Sequence, residues 1–201
     1  MNEQVNEEQE RLDQLLRNFQ IENSIKLSLE GDYYRTVSYR YSRQPLSTQG
    51  AQLTGGRYNF RPQQGTSFPC LYCAERDLTA STEKFYHLKT QNAPLPPHTV
   101  VCLHVKLQTV LDLSMPARCL AAGADWEVLN QPWEYHQDIL RIPSYSQRIG
   151  AITYEQETLE GILFTSTKVP NTFNLAIFPE RLSQQSFLEL YDPQNELGLN
   201  E

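Results

Sequence analysis

The run Val101-Cys102-Leu103-His104-Val105-Lys106-Leu107 decides the fold class. Its Val and Leu residues alternate with Cys, His and Lys. Successive side chains of a strand point to opposite faces, so this is a half-buried β-strand, and Val110 to Leu113 reads as its short continuation. His104 falls on the polar side of the alternation and is read as solvent-facing.

Upstream, Phe68 to Ala74 reads as a buried strand, and Asp77 caps a helix over 78–90. Leu78, Ser81, Phe85 and Leu88 form that helix's inner side, and Pro94, Pro96 and Pro97 end it. The Tyr-, Arg- and Thr-rich stretch Asp32 to Tyr41 has β character, and a polar loop follows over 42–52. Leu12, Leu15, Leu16 and Phe19 share one face of a helix over 4–20, which packs on its own domain or on a partner. Downstream, Glu160 to Thr165, Leu175 to Phe178 and Phe187 to Tyr191 read as strands, and a helix is expected near 144–154. Residues 115–150 otherwise lack a clear period. The expected fold is α+β, a mixed β-sheet core with flanking helices. The expected division is an N-terminal helical extension over 1–30, a main domain over 31–192 and a polar tail over 193–201.

Composition narrows the function. A net charge of −7 over 201 residues disfavours direct nucleic-acid binding, which needs clustered Lys and Arg on phosphates. No apolar run is long enough to span a bilayer, and the acidic, polar start of the chain does not read as a secretory signal, so the cytoplasm is the expected compartment. Cys70-Leu71-Tyr72-Cys73 has zinc-like spacing, but no second pair accompanies it and a strand would aim the two thiols apart. Both are read as buried, reduced core residues, and no metal is expected.

The familiar phosphate-loop, dinucleotide, serine-hydrolase and zinc-protease patterns are absent. What remains is polar residues where packing does not require them: Arg35 in a strand, the loop Gly55-Gly56-Arg57-Tyr58-Asn59, Glu83 on a helix and Ser166 closing a strand. Singly, each has an ordinary reading as surface arginine, turn, solvated glutamate or strand-end hydroxyl. Two adjacent glycines suggest a backbone that Cβ would forbid, or the close approach of a ligand.

In order, Tyr34-Arg35, Gly55 to Asn59, Leu71 to Ala74, Thr79-Ala80-Ser81-Thr82-Glu83, Glu160 to Lys168 and Asn174 to Pro179 resemble the RES-domain family, from about Tyr33 to about Phe178. The family is named for an Arg, a Glu and a Ser. The resemblance implies a fold similar to ADP-ribosyltransferases and a bacterial toxin, paired with an antitoxin, that degrades NAD by hydrolysis or phosphorolysis. Carried over, the family's Arg, loop aromatic, Glu and Ser fall on Arg35, Tyr58, Glu83 and Ser166, with Gly56, Arg57 and Asn59 completing the loop. Such sequences usually have Pro before the late serine and Ala-Arg after it; this chain has Thr165, then Thr167-Lys168.

The chemistry implied is cleavage of the nicotinamide–ribose bond through an oxocarbenium-like transition state. Glu83 would stabilise the positive ribose, Arg35 and then Arg57 would hold the pyrophosphate, and Tyr58 would stack on nicotinamide. Asn59 and Ser166 would donate hydrogen bonds. NAD is then a substrate rather than a cofactor, with phosphate a candidate co-substrate. Transfer of ADP-ribose to a protein acceptor, or an inactive binding module, fits the same residues. The expected partner is a small helical antitoxin, and the Leu12–Phe19 face is a candidate surface for homo-oligomerisation.

Overall fold

A computed structural model describes residues 3–196 of the chain. In chain order it contains α1 (Glu3–Leu16), β1 (Lys26–Ser38), α2 (Gln49–Thr54), β2 (Leu71–Ala74), α3 (Asp77–Thr90) and β3 (His98–Leu113). There follow α4 (Pro116–Ala121), α5 (Trp126–Leu129), a π-helical turn (Tyr135–Leu140), α6 (Tyr145–Glu155), β4 (Gly161–Thr165), β5 (Phe173–Ile177) and β6 (Phe187–Leu190). The fold is α+β. The strands form one mixed sheet in the order β1-β2-β5-β4-β3-β6.

The long strand β3 organises this sheet. One edge pairs antiparallel with β1 along nearly the whole strand, from Lys26↔Leu111 to Ser38↔His98. Its other edge serves β6 at Leu103–Lys106 and, in parallel, β4 at Val110–Leu113. β4 continues to β5 and β5 to β2, and the single pairing Tyr34↔Ala74 returns β2 to β1. The sheet thereby closes on itself and separates two cores. Inside lie Leu71, Cys73, Val101, Leu103, Val105, Leu107, Leu175 and Ile177. Outside, Leu111, Leu113, Ile162, Phe164, Ala176 and Phe178 pack under the helices. Strand alternation sends neighbouring residues to different cores: Cys70 joins the outer cluster and Cys73 the inner one.

Several expectations are corrected. The helix 4–20 ends at Leu16, and Phe19 and Ile21 follow it into the outer core beside a fully buried Leu12. The Leu12–Phe19 face is therefore spent on the chain's own core, and Arg148 on α6 and His136 on the π turn bind Asp13 and Glu8 of α1. The expected boundary at residue 30 falls inside β1, which begins six residues before Asp32 because β3 supplies pairing partners that far. The cap of α3 is Arg76, with Asp77 as its first helical residue. Leu78 is 64% exposed, and Thr79, Ala80 and Phe85 are the buried side of that helix. The expected loop 42–52 contains the start of α2. The expected polar tail over 193–201 lies partly at 197–201, outside the described residues.

Candidate functional site

The Gly55–Asn59 loop is built around Tyr72 of β2. The Tyr72 hydroxyl accepts the Tyr58 backbone N–H at 2.8 Å and donates to Asn59 Oδ1 at 2.8 Å. Asn59, fully buried, donates from Nδ2 to the Ala51 carbonyl at 2.7 Å. From the first turn of α6, Gln147 Nε2 donates to the Gly56 carbonyl at 3.0 Å and the Asn59 carbonyl at 3.3 Å. Gln147 is held there by a reciprocal capping box with Ser144.

The glycine pair answers this packing. A Cβ on Gly56 would stand 2.7 Å from the Tyr72 ring, and one on Gly55, at φ +77°, would stand 2.0 Å from Gln137 Oε1. The small residues thus admit the protein's own side chains, where the sequence suggested ligand approach as well. Tyr58 is likewise corrected. Its ring is 1% exposed, edge-on to Phe164 at 4.7 Å, so in this conformation it is part of the core and presents no face to a nicotinamide ring.

Arg57 is buried and Arg35 partly buried, and charge out of water calls for compensation. Arg57 is 9% exposed and donates to the Leu129 carbonyl and to Thr167 Oγ1, both at 3.0 Å. Arg35 donates to the Tyr72 carbonyl at 3.2 Å and the Ser47 carbonyl at 2.8 Å, and its buried Nε has no hydrogen-bond partner among the described residues. Burial lowers its pKa from the usual guanidinium value, partly opposed by the nearby Cys73 and Cys70 thiols. Among the described residues neither arginine meets a carboxylate, so the two guanidinium groups are oriented and uncompensated, which suits an anionic ligand.

Glu83 sits in α3, tied to β1 by the Ser81–Thr36 hydroxyl contact at 3.2 Å. Its Oε1 accepts from Ser166 Oγ at 2.6 Å and from Asn174 Nδ2 at 2.7 Å. Both donors are buried, on the adjacent ends of β4 and β5. Ser166 Oγ also accepts the backbone N–H groups of Lys168 and Val169, at 3.1 and 2.9 Å, which fixes the turn after β4. With its proton committed to Glu83, Ser166 orients the carboxylate. Among the described residues Glu83 Oε2 receives no hydrogen bond, leaving one oxygen for a ligand's hydroxyls or developing positive charge.

The predicted residues converge through shared partners. Arg35 meets the Tyr72 carbonyl, the Tyr72 hydroxyl meets the loop, and Arg57 meets Thr167 next to Ser166, which meets Glu83. Sequence reading missed Tyr72, Asn174 and Gln147. The S-x-x-Q spacing of Ser144 and Gln147 was a legible capping signal. Asn174, two positions before Ala176 on the same strand face, was legible as a polar residue among core neighbours. One surface cleft, of about 490 Å³ and lined by Thr54, Arg61, Gln64, Gln137 and Arg141, adjoins the start of the Gly55–Asn59 loop; another, of about 410 Å³, is lined by Glu8, Arg11 and His136. Among the described residues no three His, Cys, Asp or Glu side chains gather as metal ligands, and no helix is long and apolar enough to cross a membrane.

A family model described as "RES domain" matches residues 32–194. Among solved structures, the chain is similar to one from the M. tuberculosis MbcT–MbcA toxin–antitoxin complex, with 17% identity and a TM-score of 0.58 over 90% of this chain and 88% of the other. At that identity the likeness concerns the fold. Comparison with curated proteins gives no match.

Proposed function

The chain belongs to the RES-domain family, and from that premise we propose that it is an enzyme cleaving the nicotinamide–ribose bond of NAD, acting as a toxin held in check by an antitoxin. One observation carries the reading: a carboxylate, Glu83, is clamped on one oxygen by Ser166 and Asn174 and, among the described residues, free on the other, while Arg57, buried and bonded to Thr167 next to Ser166, and Arg35, partly buried, have no acidic partner among the described residues. NAD presents the matching features, a pyrophosphate dianion and a ribose that becomes positive as its bond to nicotinamide breaks. The likeness to a toxin solved with its antitoxin supports a protein partner; a small helical one fits the reading. NAD is abundant in the cytoplasm, the compartment this reading requires.

In this mechanism Arg35 and Arg57 hold the pyrophosphate through bidentate, charge-assisted bonds. Nicotinamide departs with the electron pair of the C–N bond and becomes neutral, so no strong general acid is required. Glu83 Oε2 faces the ribose hydroxyls and the oxocarbenium charge. Water completes the reaction as ADP-ribose and a released proton; inorganic phosphate completes it as ADP-ribose 1-phosphate. Preorganisation is the protein's main contribution, since both donors on Glu83 are buried and fixed before substrate arrives.

Glu83→Gln is the test, because glutamine keeps an oxygen for Ser166 and Asn174 and removes only the charge. Purified wild-type protein is expected to consume NAD, with products that separate hydrolysis from phosphorolysis when phosphate is added or withheld. The variant is expected to lose about 10²–10³-fold in kcat, the usual scale for removing one preorganised electrostatic element. Wild-type turnover in the folded variant would refute the role of Glu83.

A further inference from the structure

Burial of Tyr58 leaves the proposed site without the aromatic face assigned to it. A different ring, Tyr86, lies on the same helix as Glu83. Tyr86 lies three residues after Glu83 on α3, with the helix kinked between them at Phe85 (φ −114°, ψ 16°). It is half-buried, and the Lys168 ammonium lies 4.3 Å from its ring centroid. Lys168 itself is tied to the site, because its backbone N–H donates to Ser166 Oγ, which donates to Glu83. The turn after β4 thus links Tyr86 to the carboxylate through Lys168 and Ser166. Among the described residues Lys168 has no carboxylate partner, so the ring is what it rests on.

We infer that Tyr86 is the binding face for the cationic pyridinium ring of NAD, and that Lys168 occupies the position this ring takes when substrate enters. The inference rests on the NAD reading above and names the residue that recognises the leaving group. An electron-rich face attracts a cation and has far weaker attraction for a neutral ring. The pyridinium loses its charge as the C–N bond breaks, so Tyr86 binds the substrate's ring more tightly than the product's and favours nicotinamide release.

The test separates ring recognition from general binding. In a Glu83→Gln background, titration calorimetry would compare NAD with ADP-ribose, which lacks the pyridinium. Tyr86→Leu is expected to weaken NAD binding roughly tenfold, the scale of a partly desolvated cation–π contact. ADP-ribose binding should stay within about twofold, and Tyr86→Phe, which keeps the face, should stay near the parent protein for both ligands. In the otherwise wild-type enzyme, Tyr86→Leu should raise KM for NAD by a similar factor. Equal weakening of NAD and ADP-ribose, or no change for NAD, would overturn the inference while leaving the enzyme reading intact. No NAD loss by the wild-type protein, with neither ligand bound, would instead remove the reading it rests on, and the inference with it.

Discussion

Replacing Gly150 by alanine should dislodge the Gly55–Asn59 loop from its support. Gly150 lies in α6 against the backbone of Tyr58, and a Cβ there would stand 1.9 Å from the Tyr58 carbonyl oxygen and 2.8 Å from its Cα. That is about 1.5 Å short of ordinary contact, and both obstacles are backbone, which cannot swing aside. Alanine gains roughly 1 kcal/mol in helix propensity over glycine. Against this stand overpacking, about 1–3 kcal/mol, and the Gln147 bonds to the Gly56 and Asn59 carbonyls, which stretch together as α6 moves away. The Asn59 carbonyl keeps the Gly56 N–H at 2.8 Å, so it is the Gly56 carbonyl that is left unsatisfied, at about 1–3 kcal/mol. The net expectation is a destabilisation of about 3 kcal/mol, or a fall in Tm on the order of 10 °C for a domain of this size. Thermal unfolding by circular dichroism reads this directly. Gly31→Ala in β1 is the control, since nothing lies within 4 Å of its Cβ, and it should be near neutral. A Gly150→Ala Tm within about 2 °C of the parent would refute the claim that backbone contact between α6 and Tyr58 fixes the loop.

Two further outcomes follow from buried polar groups. Tyr72→Phe removes the hydroxyl shared by the Tyr58 N–H and Asn59 Oδ1, and should lower stability by about 2 kcal/mol in urea unfolding; an unchanged midpoint would mean the loop is held without it. Glu160, 2% exposed, accepts from the Gln108 and Thr109 N–H groups through one oxygen and from Ser183 N–H and Ser186 Oγ through the other. Burial pushes its carboxyl pKa up, but the bonds from Ser186, Ser183 and Gln108 outweigh burial and hold it below the usual range. A carboxyl depressed on folding stabilises above its unfolded value and loses that contribution as pH falls through the folded value. Glu160→Gln should therefore be less stable at pH 7 by about 2 kcal/mol, and the gap should narrow below roughly pH 4.5. Urea midpoints at the two pH values would test this, and a gap independent of pH would show that the charge is not its source.

The strand periods were legible because they are local: each residue of Val101–Leu107 reports its own face. The stretch 115–150 was not, since its elements are four to six residues long and show no sustained period. They are fixed by caps and distant hydrogen bonds, such as Asp125 accepting the Val128 N–H and Gln137 donating to the Thr54 carbonyl. Leu78 misled because a helical period specifies an apolar stripe without saying which neighbouring element will cover it.

By itself the sequence determined most of the strands and the longer helices, the burial of Cys70 and Cys73 and the family to which the chain belongs, because alternation, apolar periods and ordered motifs are written in neighbouring positions. The tertiary structure decided what the singled-out residues do. It turned Tyr58 and the glycine pair inward to serve packing. It gave Glu83 its two donors from Ser166 and Asn174, which lie 83 and 91 residues away in the chain. A hydrogen-bond partner is chosen by three-dimensional proximity, and the closing of the sheet from β2 back to β1, with α3 laid across β1, creates a proximity that no local pattern encodes.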